Sequence, residues 1–172
     1  DIEIPEYKNI KKIALKKKLN IETISNEDSS LNIISHKYFK GKQLIQIKYE
    51  NKIYRFNTNL IGKIQIKNIL MAMLAAKKSG LNLNQIVNVI DKIRPVSGRL
   101  EKIGIIKNNS SVILDYAHTP DALQNCLQNL KEQFKDKKIS IVFGCGGNRD
   151  HSKRPMMGKI ASNFCDKIYL TD

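Results

Sequence analysis

Two polar stretches hold most of the chemistry this sequence can offer. In Ile113-Leu-Asp-Tyr-Ala-His-Thr-Pro-Asp-Ala-Leu123 an apolar run stops at Asp115, passes His118 and enters a helix start at Thr119. In Val142-Phe-Gly-Cys-Gly-Gly-Asn-Arg-Asp150 a second apolar run ends in glycines, Arg149 and Asp150, with Lys153 and Arg154 just beyond. In an open α/β sheet, ligands collect at the loops that follow the strands. A carboxylate placed like Asp115 can accept ribose hydroxyls. A guanidinium such as Arg149 can grip a carboxylate through two parallel hydrogen bonds. Cations beside a glycine turn, ahead of a helix, suit phosphate or carboxylate. Plainer readings compete with each of these. Asp115 can cap backbone amides in a turn, the glycines can simply make a tight turn, and His118 can be satisfied by its own backbone instead of by a ligand. Neither G-x-G-x-x-G nor G-x-x-x-x-G-K-[ST] occurs anywhere in the chain.

Two further polar side chains stand out. Asn68 sits among apolar residues of a helical segment and can offer its amide to a base edge or to solvent. Arg99 lies in Pro95-Val-Ser-Gly-Arg99, where it can reach phosphates or bridge two domains. His36, His118 and His151 share no metal-ligand spacing, and Cys126, Cys145 and Cys165 form no C-x-x-C pair. No protein metal site or disulfide framework is expected.

The elements that must position these groups follow from periodicity. Tyr7–Lys18 predicts a helix with Ile10, Ala14 and Ile13 facing inward, followed by a short strand over Ile21–Ser25. Leu44–Tyr49 and Lys52–Phe56 alternate around Glu50-Asn51 and predict a hairpin. Ile66, Ile69, Leu70, Met73 and Leu74 fall at helical spacing, closed by Gly80. A second helix is expected over Asn84–Ile93, ended by Pro95. Strands are then expected near Leu100–Ile106, Ser111–Leu114, Ile139–Phe143 and Lys167–Leu170, alternating with helices. That order implies a parallel, Rossmann-like sheet and an α/β fold. Thr119-Pro120-Asp121 is a strong helix start, and Pro155 opens another helix in which Met156, Ile160 and Phe164 repeat every four residues. The change of pattern at Pro95–Arg99 divides the chain into domains 1–95 and 96–172.

The bulk properties restrict the function classes. The 172 residues carry a net charge of +14, with 41% hydrophobic residues and no apolar run long enough to span a bilayer. The lysines spread along the whole chain, densest over Lys8–Lys18, without interleaved aromatics that would stack bases. Compositional bias therefore accounts for the charge better than nucleic-acid binding does, though the excess still attracts anionic substrates. Expected partners include neither nucleic acid nor membrane, and the expected location is cytoplasmic.

Several segments together resemble one family, the Mur ligases of peptidoglycan synthesis. Gly62-Lys-Ile-Gln-Ile-Lys-Asn-Ile-Leu-Met-Ala72 is similar to the family's G-x-[FH]-N-x-x-N-x-L-x-A, and Pro95-Val-Ser-Gly-Arg-Leu-Glu101 to its P-x-x-G-R-[ML]-E linker. Asp115–Leu123 resembles D-Y-A-H-T-P-D-[AS]-L, and Gly144–Gly158 resembles G-C-G-G-[DN]-R-D-x-x-K-R-P-x-M-G. The resemblance implies the rear part of a central ATP-binding domain followed by the start of a Rossmann-like C-terminal domain, both cut from a longer enzyme. It implies an ATP- and Mg2+-dependent amide ligase that adds an amino acid to UDP-N-acetylmuramoyl-L-alanyl-D-glutamate through an acyl phosphate. The added residue is expected to be meso-diaminopimelate in preference to lysine. The full-length enzyme is expected to be a monomer, and this piece alone to be inactive. Nucleotide contacts would come from Asn68, Gln65, Arg99, Asp115 and His118, and the incoming amino acid's carboxylate would meet Arg149. Gln65 replaces the family's first Asn, keeping the amide but adding a methylene. Folylpolyglutamate or cyanophycin synthetases, and a non-catalytic basic nucleic-acid-binding domain, are the alternatives.

Overall fold

The computed structural model describes residues 1–26, 29–146 and 151–171. The chain forms two compact units, residues 1–94 and 95–172. The first begins with helix α1 (Tyr7–Lys16) and strands β1 (Ile24–Ser25), β2 (Leu31–Phe39), β3 (Lys42–Tyr49) and β4 (Lys52–Thr58). The strands make one sheet in the order β1-β2-β3-β4, parallel at β1–β2 and antiparallel elsewhere. Glu50 and Asn51 both have positive φ (46° and 62°), as a two-residue hairpin turn requires, and Tyr49 pairs with Lys52 across it.

Helix α2 (Lys63–Lys78) buries Ile66, Ile69, Leu70, Met73 and Leu74, which join Leu31, Ile45, Ile47 and Phe56 of the sheet in one core. Three sequence expectations fail in this unit. β2 was not anticipated, because polar residues interrupt its apolar alternation. α1 buries none of its residues, and Ile10 and Ile13 point to solvent at 51% and 57% exposure. The helix expected over Asn84–Ile93 is instead a short α3 (Leu83–Val87) and a separate 3-10 turn at Ile90–Lys92. Leu83 and Ile90 are buried in the core and Ile86 and Val87 pack partly against it, so the break between the two turns is set by packing rather than by continuous helical periodicity.

The second unit contains β5 (Glu101–Ile106), β6 (Ser110–Leu114), α4 (Pro120–Gln133), β7 (Ser140–Gly144), α5 (Lys153–Phe164) and β8 (Lys167–Thr171). The expected all-parallel arrangement holds for β7–β8 but not for β5–β6, which pair antiparallel. Only Lys107–Asn109 separates β5 from β6, too short for a parallel crossover, and Asn108 and Asn109 turn the chain at φ 64° and 57°. Leu123 and Leu127 of α4 meet Met157 of α5 in this unit's core, with Ile141, Phe143 and Ile160 against them. Met156, expected on the repeating face of α5, is exposed, and its neighbour Met157 fills the core. Thr119 caps α4 as expected, its side chain accepting from the Ala122 amide at 3.3 Å, with Pro120 in the first turn. Gly144 is required by close packing: a Cβ there would stand 2.3 Å from the Thr171 carbonyl oxygen.

Candidate functional site

The candidate groups of the second unit gather where β6 ends. Asp115 follows that strand, and both of its carboxylate oxygens accept backbone hydrogen bonds. One accepts from Ala117, two residues on, at 2.9 Å, and the other from Leu100 in the preceding turn, at 2.8 Å. Leu100 is buried yet has φ 47°, a left-handed conformation that non-glycine residues adopt at a cost. The Asp115 bond holds it there. Two more ties close the same turn: the Tyr116 amide donates to the Gly98 carbonyl at 2.8 Å, and the Gly98 amide donates to Glu101 Oε2 at 2.9 Å. Asp115 therefore caps amides, as the plainer reading had it. A carboxylate also has lone pairs beyond the two these amides use.

Around this knot stand exposed groups able to meet a ligand. Arg99 is exposed, with its guanidinium over the Tyr116 ring at 5.8 Å from the centroid. The Tyr116 and His118 rings contact edge to face at 5.1 Å, and His118 Nδ1 lies 3.1 Å from the Tyr116 carbonyl oxygen. Lys153 at the start of α5 donates to the His118 carbonyl at 3.4 Å, so the β6 loop and the head of α5 come together. Arg149, with Gly147, Asn148 and Asp150, lies outside the described residues.

Asn68 and Gln65 belong to the first unit, one helical turn apart on α2. Asn68 is exposed, and its Nδ2 donates to Gln65 Oε1 at 3.4 Å. The start of this helix is fixed from below by Gln43, which is fully buried on β3. Its Nε2 donates to the carbonyls of Leu60 (2.8 Å) and Gly62 (3.0 Å), and its Oε1 lies 2.7 Å from His36 Nε2. Because the Gln43 amide spends its donors on those carbonyls, its oxygen accepts, which assigns the hydrogen to His36 Nε2. Lys67, next to Asn68, bridges Asp1 at 2.6 Å and Glu3 at 2.8 Å and draws the N-terminal segment onto α2. The Lys67 ammonium holds the Glu3 carboxyl below its ordinary range.

Sequence reasoning singled out Asn68, Gln65, Arg99, Asp115 and His118 but passed over Tyr116 and Gln43. Tyr116 stood inside the quoted motif, and only the fold shows its ring touching both neighbours. Gln43 begins a run that reads as alternating from Leu44, and the buried phase is Gln43, Ile45, Ile47 and Tyr49, with Leu44 turned out. Cys126 and Cys165 are not poised for nucleophilic chemistry: burial, with Asp115 and Cys165 nearby, pushes the Cys126 thiol up to about 12, and burial also raises Cys165. Among the described residues no cluster of three His, Cys, Asp or Glu side chains could hold a metal ion, and no helix is long and apolar enough to cross a membrane.

Comparison with known proteins places this geometry in context. The profile described as the Mur ligase, glutamate ligase domain matches residues 98–172. A Rickettsia bellii protein named UDP-N-acetylmuramoyl-L-alanyl-D-glutamate--2,6-diaminopimelate ligase is 37% identical over 171 residues, covering 99% of this chain and 35% of its own. Its Rickettsia montanensis namesake is 40% identical over 165 residues, covering 95% of this chain and 32% of its own. A solved structure of a ligase with that name superposes with a TM-score of 0.72 at 27% identity, over 98% of this chain and 35% of the other. The chain thus spans about a third of the length of these relatives.

Proposed function

The chain belongs to the Mur ligase family, and from that premise we propose that it is part of an ATP-dependent ligase joining meso-diaminopimelate to UDP-N-acetylmuramoyl-L-alanyl-D-glutamate. The observation that carries this reading is the knot at the end of β6. There an exposed arginine, a capped carboxylate and a histidine are fixed together beside a lysine at a helix start. That constellation suits a nucleoside phosphate: cations for the phosphates, and an acceptor within reach of hydroxyls.

In this reading Arg99 neutralises phosphate charge, Asp115 stands on the ribose or magnesium side and His118 contacts the nucleotide from the same loop. On the first unit, the paired amides of Gln65 and Asn68 approach the adenine. With Gln65 Oε1 accepting from Asn68 Nδ2, the Gln65 NH2 and the Asn68 carbonyl oxygen take no part in that bond and supply a donor and an acceptor. The longer Gln65 thus keeps the amide that the family's Asn would supply. Arg149 takes the carboxylate of the incoming amino acid. The muramoyl peptide's carboxylate would take the terminal phosphoryl group of ATP with release of ADP, and the amine would then attack the acyl phosphate, expelling inorganic phosphate. The chain's own contribution is positioning and charge neutralisation. Magnesium would enter with the nucleotide, where the Asp115 carboxylate is the one group of this cluster that would help hold it, and it would supply neutralisation of phosphate charge. The enzyme is read as a cytoplasmic monomer.

The test is a transplant. The matching segment of the Rickettsia bellii ligase is replaced by this chain, and phosphate release is measured with the muramoyl dipeptide. The proposal expects release that requires ATP and diaminopimelate and is weak with lysine. A well-folded hybrid that releases phosphate with neither amino acid would overturn it. The isolated 172-residue chain is expected to release none.

A further inference from the structure

We propose that Tyr116 is a positioning residue, holding Arg99 and His118 in one ligand-facing arrangement. Tyr116 is 66% exposed, so its ring is not placed there by the core. It is tied in other ways. Its backbone amide grips Gly98, the residue before Arg99, at 2.8 Å. Its ring carries the Arg99 guanidinium at 5.8 Å and meets the His118 ring edge to face at 5.1 Å. Its carbonyl oxygen faces His118 Nδ1 at 3.1 Å. Three of these ties reach the two side chains read as nucleotide contacts, and the fourth fixes the residue before Arg99.

The physical consequence is preorganisation. Arg99 sits on an exposed turn, and without a platform its long side chain would sample many rotamers that binding must then freeze. A ring face attracts the guanidinium through the aromatic quadrupole while leaving its N–H edge open to a phosphate. The imidazole, turned against the ring edge, is restricted in the same way. Tyr116 itself need not touch the nucleotide to act.

This inference rests on the reading of Arg99 and His118 as nucleotide contacts, and the experiment separates the two. ATP is titrated into the full 172-residue chain while the Arg99 Nε–H and His118 ring resonances are followed by NMR. The variants are Tyr116→Leu, Tyr116→Phe, Arg99→Ala and the Tyr116→Leu/Arg99→Ala double. Expected results are a two- to five-fold weaker ATP affinity for Tyr116→Leu, roughly the fold-change of an exposed cation–π contact, and near-complete rescue by Tyr116→Phe, which keeps the ring. Once Arg99 is gone, Tyr116→Leu should cost less than it does in the parent, since only the hold on His118 is then left to lose, a non-additivity that a merely structural role would not produce. If Arg99→Ala leaves the ATP titration unchanged, the nucleotide reading fails and this proposal falls with it. If Arg99→Ala weakens binding and Tyr116→Leu does not, or the two effects simply add, the nucleotide reading stands and the role of Tyr116 is overturned.

Discussion

Replacing Asp115 by alanine removes the fastener between the Gly98–Glu101 turn and the β6 loop. Two amide bonds to a carboxylate are lost, at 2.8 and 2.9 Å. Each such charge-assisted bond contributes about 1.5–3 kcal/mol when well shielded. Asp115 is only half-buried, and the two bonds share one group, so the sum is discounted to about 2–3 kcal/mol. The change also leaves Leu100 in its left-handed conformation without the bond that holds it, a conformation costing about 1–2 kcal/mol. Asp115→Asn keeps one acceptor and is expected to lose about half as much. The best reporter is the Tyr116 amide, whose bond to the Gly98 carbonyl neither substitution removes directly. Its hydrogen exchange should quicken about thirty- to a hundred-and-fortyfold in Asp115→Ala, the equivalent of about 2–3 kcal/mol of easier opening. Exchange within about threefold of the parent would show that the turn is held by something else and would refute the reasoning.

Other outcomes follow from the same geometry. Gly144→Ala should destabilise the second unit by about 1–3 kcal/mol in urea unfolding, since the new methyl meets a backbone oxygen. By contrast Gly158→Ala, in α5 with open space around its Cβ, should stabilise by about 0.5–1 kcal/mol. Cys126, with its thiol pushed up to about 12, should resist alkylation in the native chain at neutral pH and react on unfolding. Its raised pKa means the unfolded thiol loses its proton first, so this contribution to stability is intact below the ordinary thiol range. It is lost as pH climbs from there toward about 12, a decline that Cys126→Ala should flatten in pH-dependent unfolding. Glu3 runs the other way: held low by Lys67, it favours the fold above the ordinary carboxylate range and ceases to as pH falls through its depressed value. Lys67→Gln should abolish that acid sensitivity and hasten exchange of the Ile2 amide, which bonds the Ile24 carbonyl.

What the sequence made legible was whatever local chemistry determines. Thr119-Pro120-Asp121 announced α4 because capping and the proline's fixed φ act within one turn. The Glu50-Asn51 hairpin followed from alternation around a two-residue break. The clustering of Arg99, Asp115 and His118 was foreshadowed by motif order, but the bonds that close the Gly98–Glu101 turn onto the β6 loop join residues fifteen and eighteen apart in sequence and depend on the tertiary fold. The hidden features share a cause. β2 and the phase of β3 are set by which face the core accepts, and a buried Gln43 breaks the polar-out pattern because its hydrogen bonds are met inside. Ile10 and Ile13 obey helical spacing on α1 yet stay exposed, since spacing cannot say whether a surface exists to receive them. Antiparallel pairing of β5 with β6 was readable from the short Lys107–Asn109 connection, and the alternating strand–helix grammar further along concealed it.

The most direct test of the central claim maps ATP with magnesium onto the chain by backbone NMR. The account predicts perturbations concentrated at Gly98–Leu100, Asp115–His118 and the Gln65–Asn68 turn of α2, persisting in moderate salt. Perturbations confined to the lysine-rich face of α1, vanishing as salt rises and reproduced by any oligonucleotide, would contradict it. They would mark the chain as a basic surface that attracts anions without a nucleotide site.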